Sequence, residues 1–342
     1  MSKISNRNRT LSVFEAVATY FVVFIHCTFP GETGIFIRSM GKFAVPLFFV
    51  VSGFFYYKEN HIYNETKSTK RKIFNLIKIL IASELVYAIF YDLLYVRKYG
   101  VSINSIIDGI IFSVKGYNLQ GLIVNAPIFN FVGWFIVELI LVYCIYYFIS
   151  KYCRNYNVLY LIMFVLMFIG ITLFLILDYC GFNTAYYRLS LPFMGLPYFT
   201  FGHFLNYNKD KLLKLNTPLL FISSVLLFVI EYLIYGFKDN YYSVIIFIIF
   251  VFALSIKKSN YIPKNLVLKL MDNVGSKYTT FIYIMHPLIG GLIGNIAKIF
   301  ISDKFEASYK WCYPIIVAIV STICSVIFYK GKALFQKNQS RS

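Results

Sequence analysis

Residues 157–179 read NVLYLIMFVLMFIGITLFLILDY and carry no charge before Asp178. A helix needs about 20 apolar residues to cross the hydrocarbon core of a bilayer, so this run predicts a transmembrane helix. The whole chain of 342 residues is 59% hydrophobic and 14% charged, whereas soluble domains carry about 25% charged residues. With a mean hydropathy of +0.67, the sequence predicts an all-α, polytopic membrane helical bundle.

Nine further apolar segments surround this run. The ten predicted spans are residues 12–29, 43–57, 73–96, 128–149, 157–179, 193–206, 217–236, 241–256, 278–299 and 311–329. An even number of spans puts both termini on one side of the membrane. With the termini inside, the inner segments hold about twice as many Lys and Arg residues as the outer ones, so the positive-inside rule predicts cytoplasmic N- and C-termini.

The connections between the spans are short. Residues 103–114, INSIIDGIIFSV, are too short and polar to cross a bilayer, which predicts an interfacial or re-entrant half-helix. No loop is long enough for a separate soluble domain. We therefore expect residues 1–342 to form a single membrane domain.

The net charge of +18 is spread over many short loops. Such a distribution indicates membrane topology and contact with anionic lipids, and the lack of a separate basic domain argues against nucleic-acid binding. The six cysteines lie in or beside apolar segments without CxxC spacing, so we expect no metal site and no disulfide framework.

Ionisable side chains inside spans are expensive and are functional hypotheses by default. His26 lies near the outer end of the first span, eleven residues after Glu15. Eleven helical steps return to within about 20° of the same face with a rise of about 16 Å, so the two residues share one stripe. An interfacial histidine bonded to a loop is the plainer interpretation of His26.

Two more ionisable residues lie deep in predicted spans. His286 precedes Pro287, which cannot donate to the carbonyl four residues back, and the imidazole could serve that region. Glu138, close to Trp134, must be paired or protonated, and a structural partner in the bundle explains it equally well. His61 and His203 fall at helix ends, where we expect ordinary surface positions.

Five motifs in order resemble the acyltransferase-3 family of integral-membrane acyltransferases, over nearly the whole chain. They are FVVFIHC (21–27), GKFAVPLFFVVSGFF (41–55), GWFIVELILVY (133–143), YYRLSLPFMGLPYFTFGHFL (186–205) and YTTFIYIMHPLI (278–289). The second motif and HCTFPG also look like the membrane half of vancomycin-resistance serine racemases and their stand-alone relatives. The resemblance implies a multi-pass protein of a bacterial plasma membrane.

The resemblance also implies a reaction. It is the transfer of an acyl group, usually acetyl from acetyl-CoA, to a hydroxyl of a cell-surface polysaccharide, lipid-linked sugar or peptidoglycan. The essential histidine of the family falls on His26, its late histidine on His286, and its arginine before helix six on Arg188. Glu15 stands where the family usually has a cation, which implies that other groups attract the anionic donor.

In the resulting hypothesis, His26 acts as general base or as nucleophile, and His286 is a second catalytic group. The residues expected at the donor are Glu15, Lys70, Arg71, Lys72 and Lys78. Those expected at the acceptor, or at the charge that develops on it, are Arg38, Lys42, Ser52, Trp134, Glu138, Arg188 and Tyr283.

Two other classes of function remain open. A transporter of a serine-like amino acid or a lipid-linked sugar would use Glu15, His26 and His286 as proton-relay groups. A catalytically degenerate partner protein is favoured if Glu15 prevents donor binding.

Overall fold

A computed structural model describes residues 8–57, 62–100, 102–104, 107–109, 111, 121, 123, 125–153, 155–238 and 241–339. Within these residues every regular element is helical, which confirms the predicted fold class. The longer helices are α1 (Arg9–His26), α2 (Gly31–Met40), α3 (Ala44–Phe54), α4 (Ile62–Tyr99), α5 (Trp134–Tyr152), α6 (Tyr156–Tyr179), α8 (Gly195–Tyr207), α10 (Thr217–Tyr235), α11 (Ser243–Lys257), α12 (Leu266–Asn273), α13 (Thr279–Phe300) and α14 (Asp303–Gln339).

Two shorter helices of the described chain are α7 (Ala185–Arg188) and α9 (Lys209–Lys214). Eight helical stretches of the described chain are long and apolar enough to cross a membrane, so the protein is polytopic. The predicted sixth and eighth spans correspond to α8 and α11, helices of 13 and 15 residues. Much of the predicted half-helix at 103–114 lies outside the described residues.

Several predicted span boundaries are wrong because helices continue past the apolar run. The second span starts within one residue of its prediction, at Ala44 of α3, with the separate helix α2 before it, whereas α4 begins at Ile62 instead of 73. The ninth span is confirmed as α13, and a π-helical turn at Val274–Tyr278 joins it to the separate helix α12, so the continuous helical stretch starts at Leu266. Polar turns outside the hydrocarbon can remain helical, and hydropathy does not detect them.

Asparagine starts four of the helices. The side chains of Asn8, Asn155, Asn216 and Asn265 each accept a hydrogen bond from a backbone N–H of the first turn of α1, α6, α10 and α12. An N-cap of this kind contributes about 1 kcal/mol by satisfying a donor that the helix leaves unpaired.

The described residues fall into two compact units. The first unit runs to Leu47 and resumes at Lys209, and the second unit is Phe48–Asn208. In the first unit, α1 packs against α2, α11, α12, α13 and α14. In the second unit, α5 packs against α4 and α8, and α8 packs against α6. The single-domain assignment and the side on which the termini lie stay predictions.

Glycine allows the short helix α8 to approach α3 within the second unit. A Cβ on Gly202 would overlap the carbonyl oxygen of Val50, and one on Gly53 would overlap that of Phe199. Small residues at such crossings let helix backbones touch, which is a main source of helix association in membranes. This explains why the segment SGFF and the segment FTFG carry glycine inside helices.

Candidate functional site

His26 is the last residue of α1 and lies where the chain turns. The backbone passes through Pro30 and Gly31, whose φ of 63° is in the left-handed region that glycine tolerates, and α2 then begins. The His26 side chain is exposed, whereas that of Cys27 is buried. His26 therefore presents part of its imidazole at the surface of the described protein.

His286 lies in α13 and is completely buried. In a regular helix the carbonyl of Tyr283 accepts a hydrogen bond from residue 287, but Pro287 has no N–H to donate. The Nδ1 atom of His286 takes that place, at 2.7 Å from the Tyr283 oxygen, and lies 3.1 Å from the Ile282 oxygen. The prediction that the imidazole serves the carbonyl released by Pro287 is confirmed.

These contacts determine the tautomer of His286. Both partners of Nδ1 are carbonyl oxygens, which only accept, so Nδ1 carries the proton and Nε2 of the neutral ring keeps a lone pair. Nε2 is buried and has no hydrogen-bond partner among the described residues. A buried acceptor without a partner is uncommon and calls for a functional or solvent explanation.

The rings of His26 and His286 form a pair. Their centroids are 5.2 Å apart with an interplanar angle of 46°, and the charge state of His26 acts on His286. The structure therefore brings together the two histidines that the sequence suggested, from helices that are far apart along the chain.

Two cations lie beside this histidine pair. The Arg38 guanidinium and the Lys42 ammonium are each 4.7 Å from the ring centroid of Phe237, and both charges act on the His26 imidazole. Aromatic faces attract cations by about 0.5–2 kcal/mol, so Phe237 helps to hold two like charges together. The Nε atom of Arg38 is buried without a hydrogen-bond partner in the described chain.

Two other predicted residues of the first unit have clear positions. Tyr283 is buried, and its ring lies 6.3 Å from that of His286. Glu15 is half-buried on α1, eleven residues before His26. Its backbone carbonyl accepts from the Thr19 hydroxyl. The predicted helical stripe from Glu15 to His26 is present on a single unbroken helix.

The predicted donor cations belong to the second unit, on α4. Lys70, Arg71 and Lys78 are exposed. Lys72 is half-buried, and its ammonium lies 5.2 Å from the ring centroid of Tyr143 and 5.8 Å from that of Tyr56. The exposed members of this group can meet an anion in solution.

Ser52, Trp134 and Glu138 also belong to the second unit. Ser52 hydrogen-bonds Tyr143, and Trp134 is buried at the start of α5. Glu138 has no exposed surface; one carboxyl oxygen accepts from the Gly195 N–H at 2.8 Å, and the other has no described partner. This half-satisfied carboxyl links α5 to the start of α8.

Arg188 is 2% exposed and forms an ion pair with Asp178. Its guanidinium also donates to the Thr184 hydroxyl, which itself donates to Asp178. Phe174 lies beneath it, at 5.8 Å. These contacts engage Arg188 in closing the turn after α6, a role that supports local structure.

His203 is buried, so the prediction of a surface position is wrong. It lies inside α8, where the Tyr160 hydroxyl is 2.8 Å from its Nδ1 and the Tyr156 ring stacks on it at 5.0 Å. Packing of α8 against α5 and α6 encloses a position that looked terminal in the sequence. His61 lies outside the described residues.

Sequence reasoning missed three contacts of the site. They are Phe237 under the two cations, the bond from the Cys27 thiol to the Tyr313 hydroxyl at 3.8 Å, and the packing of Gly290 against both of those groups. Each joins segments distant in the chain, and no local pattern reports such pairs.

The fold and the site define a class: a polytopic helical membrane protein with a histidine pair beside two cations. A family model described as an acyltransferase domain, that of the acyltransferase-3 family, matches residues 8–330, and the chain belongs to this family. Comparison with curated proteins and with solved structures gives no match.

Proposed function

We propose that this chain transfers an acyl group, expected to be acetyl, from acyl-CoA to a hydroxyl of a cell-envelope glycan or lipid-linked sugar. Membership of the acyltransferase-3 family supports acyl transfer in general. The observation that carries the proposal is the His26–His286 pair at 5.2 Å, in which one ring nitrogen is held as an acceptor.

His26 takes the proton of the acceptor hydroxyl in this mechanism, because it is the exposed member of the pair. The hydroxyl oxygen forms a bond to the thioester carbonyl carbon, and the carbon–sulfur bond then breaks. The imidazolium returns its proton to the departing CoA thiolate. Proton transfer by a positioned histidine contributes about 10²- to 10⁴-fold to such a reaction.

His286 orients His26 in this proposal. With centroids 5.2 Å apart, a rotation of the His26 ring brings one of its nitrogens within about 3 Å of Nε2, a hydrogen-bond distance. Nε2 then accepts from His26 and holds the opposite nitrogen of His26 ready to take a proton. Arg38 and Lys42 stabilise the negative charge that develops on the carbonyl oxygen.

CoA supplies an activated thioester and an anionic phosphate end. Lys70 and Arg71 are exposed cations suited to those phosphates, and Lys72 and Lys78 stand on the same helix.

The test compares acetyl transfer from labelled acetyl-CoA to envelope glycan in membranes carrying wild type, His26→Ala or Thr28→Ala. Thr28 is an exposed neighbour in the same turn and serves as the matched control. We expect His26→Ala to lose about 10²- to 10⁴-fold of the labelling and Thr28→Ala to retain it. Equal labelling in all three, or serine uptake into proteoliposomes without acyl-CoA, contradicts the proposal.

A further inference from the structure

A cavity whose walls are mostly apolar, with a few polar groups, lies between the second half of α13 and the first turns of α14. Its volume is about 420 Å³, within the range of sites for small organic ligands. Its walls include Gly294, Lys298, Glu306, Tyr309 and Tyr313. Of these residues only Tyr313 also contacts the histidine site, through Cys27, and none belongs to the donor cations described above.

The wall chemistry suits a ligand rich in hydroxyl groups. The Tyr309 hydroxyl is buried and has no hydrogen-bond partner among the described residues. The rings of Tyr309 and Tyr313 lie 5.6 Å apart and provide flat apolar faces. Lys298 is exposed, and Glu306 is bound to Lys310 at 2.8 Å. The cavity lining therefore adds ammonium donors and a carboxylate acceptor to the two tyrosine rings.

The cavity is connected to the histidine site through one contact. Tyr313 lines the cavity, and its hydroxyl accepts from the thiol of Cys27, the residue after His26. His286, Gly290 and Gly294 follow one another at intervals of four along α13. Eight helical residues span about 12 Å, so the cavity begins about two turns from the buried imidazole on neighbouring faces of one helix.

Gly294 leaves the cavity open. A Cβ at this position meets nothing within 4 Å, and a larger side chain would project into the space that the cavity occupies. Gly291, on the same helix, also has nothing within 4 Å of an added Cβ but does not line the cavity. Substitutions at Gly294 and Gly291 therefore compare the effect of filling the cavity with that of a similar change outside it.

We infer that this α13–α14 cavity binds a neutral saccharide unit of the acyl acceptor, with the tyrosine rings against the sugar and Tyr309, Lys298 and Glu306 on its hydroxyls. The identification of this saccharide as the acyl acceptor rests on the proposed function. The binding of a saccharide can be measured independently of it.

The first measurement is binding by the full chain in detergent or nanodiscs. The probes are cellobiose, maltose and N,N′-diacetylchitobiose, and the readout is the rise in Tm, because a ligand that binds only the folded state stabilises it. We expect a concentration-dependent rise with at least one probe in wild type and Gly291→Leu. Gly294→Leu should weaken the apparent affinity at least 10-fold, and Tyr309→Phe about 3- to 10-fold.

The second measurement is transfer to envelope glycan. We expect Gly294→Leu to raise the KM for glycan at least 10-fold with the KM for acetyl-CoA unchanged, and Gly291→Leu to change neither. If the wild type binds saccharide but transfers no acyl group, the proposed function is contradicted and the saccharide site is still supported. The inference is overturned if the wild type is active but no probe raises its Tm, or if Gly294→Leu and Gly291→Leu have the same saccharide affinity and the same KM for glycan. A phospholipid retained in the cavity also overturns it.

Discussion

His203 and His286, both buried in the described part of the chain, stand in opposite surroundings. His203 in the second unit is bonded to Tyr160 and enclosed by aromatic rings, with a stacked Tyr156 at 5.0 Å. His286 in the first unit is held by backbone carbonyls at Nδ1 and has no described partner at Nε2. A buried polar group with all its hydrogen bonds made rigidifies a core. A buried polar group without a partner costs stability but remains able to bind a substrate or a proton.

The comparison teaches how to separate structural from functional ionisable residues in a membrane. Ion pairs and hydrogen bonds that hold a buried charge through several partners, as at Arg188 and Asp178, indicate architecture. Atoms without a described partner, such as Nε2 of His286 and Nε of Arg38, indicate where a substrate or a mobile side chain can supply the missing hydrogen bond.

The largest expected effect is at His286. His286→Gln should reduce acetyl transfer about 10²- to 10⁴-fold, because the variant loses the imidazole that orients His26. The Tm in detergent should change little, because the glutamine amide can replace Nδ1 as donor to the Tyr283 carbonyl and Nε2 makes no described bond. Steady-state kinetics and thermal unfolding on the same preparation check this. A lower Tm with an unchanged kcat per folded molecule would show that His286 has a structural role and not a functional one.

A second prediction concerns the satisfied ion pair. Asp178→Ala should lower the free energy of unfolding by about 3–5 kcal/mol, because it leaves the Arg188 charge buried without its partner. The matched control is Glu306→Gln, which breaks a solvent-exposed pair and should leave the free energy of unfolding nearly unchanged. Denaturant titrations in detergent measure both, and equal small losses would show that Arg188 is available for a substrate.

His203→Gln tests the other side of the comparison. It should lower the free energy of unfolding by about 1–3 kcal/mol, because the Tyr160 hydroxyl loses a buried partner. The kcat per folded molecule should stay at the wild-type value. A fall in kcat without a fall in stability would place His203 among the functional residues instead.

The smallest expected effect is at Pro287. Pro287→Ala supplies an N–H to the Tyr283 carbonyl, which then competes with Nδ1 of His286, so the other tautomer gains population. We expect kcat to fall about 10-fold while stability is unchanged or higher, because proline inside a helix is unfavourable. Nitrogen NMR of labelled histidine rings reads the tautomer directly, and the chain has only four histidines to assign. An unchanged ring spectrum contradicts the proline's role.

Much of the protein followed from the sequence alone. Apolar runs such as 157–179 determined an all-helical, polytopic architecture, because the bilayer demands long apolar helices with internally paired backbones. The proline after His286 even predicted the carbonyl contact, since a missing N–H is a local property. The helices α2 and α12 and the first turns of α4 were missed because polar segments stay helical outside the hydrocarbon.

The tertiary structure alone decided which polar groups meet. Nothing in the sequence shows that Phe237 lies under Arg38 and Lys42, that Tyr313 contacts Cys27, or that His203 is enclosed. These contacts depend on how helices far apart in the chain pack, and a hydropathy pattern specifies that a face is apolar without specifying its neighbour. The sequence determined that His26 and His286 were costly residues in a membrane, and packing decided that they are a pair.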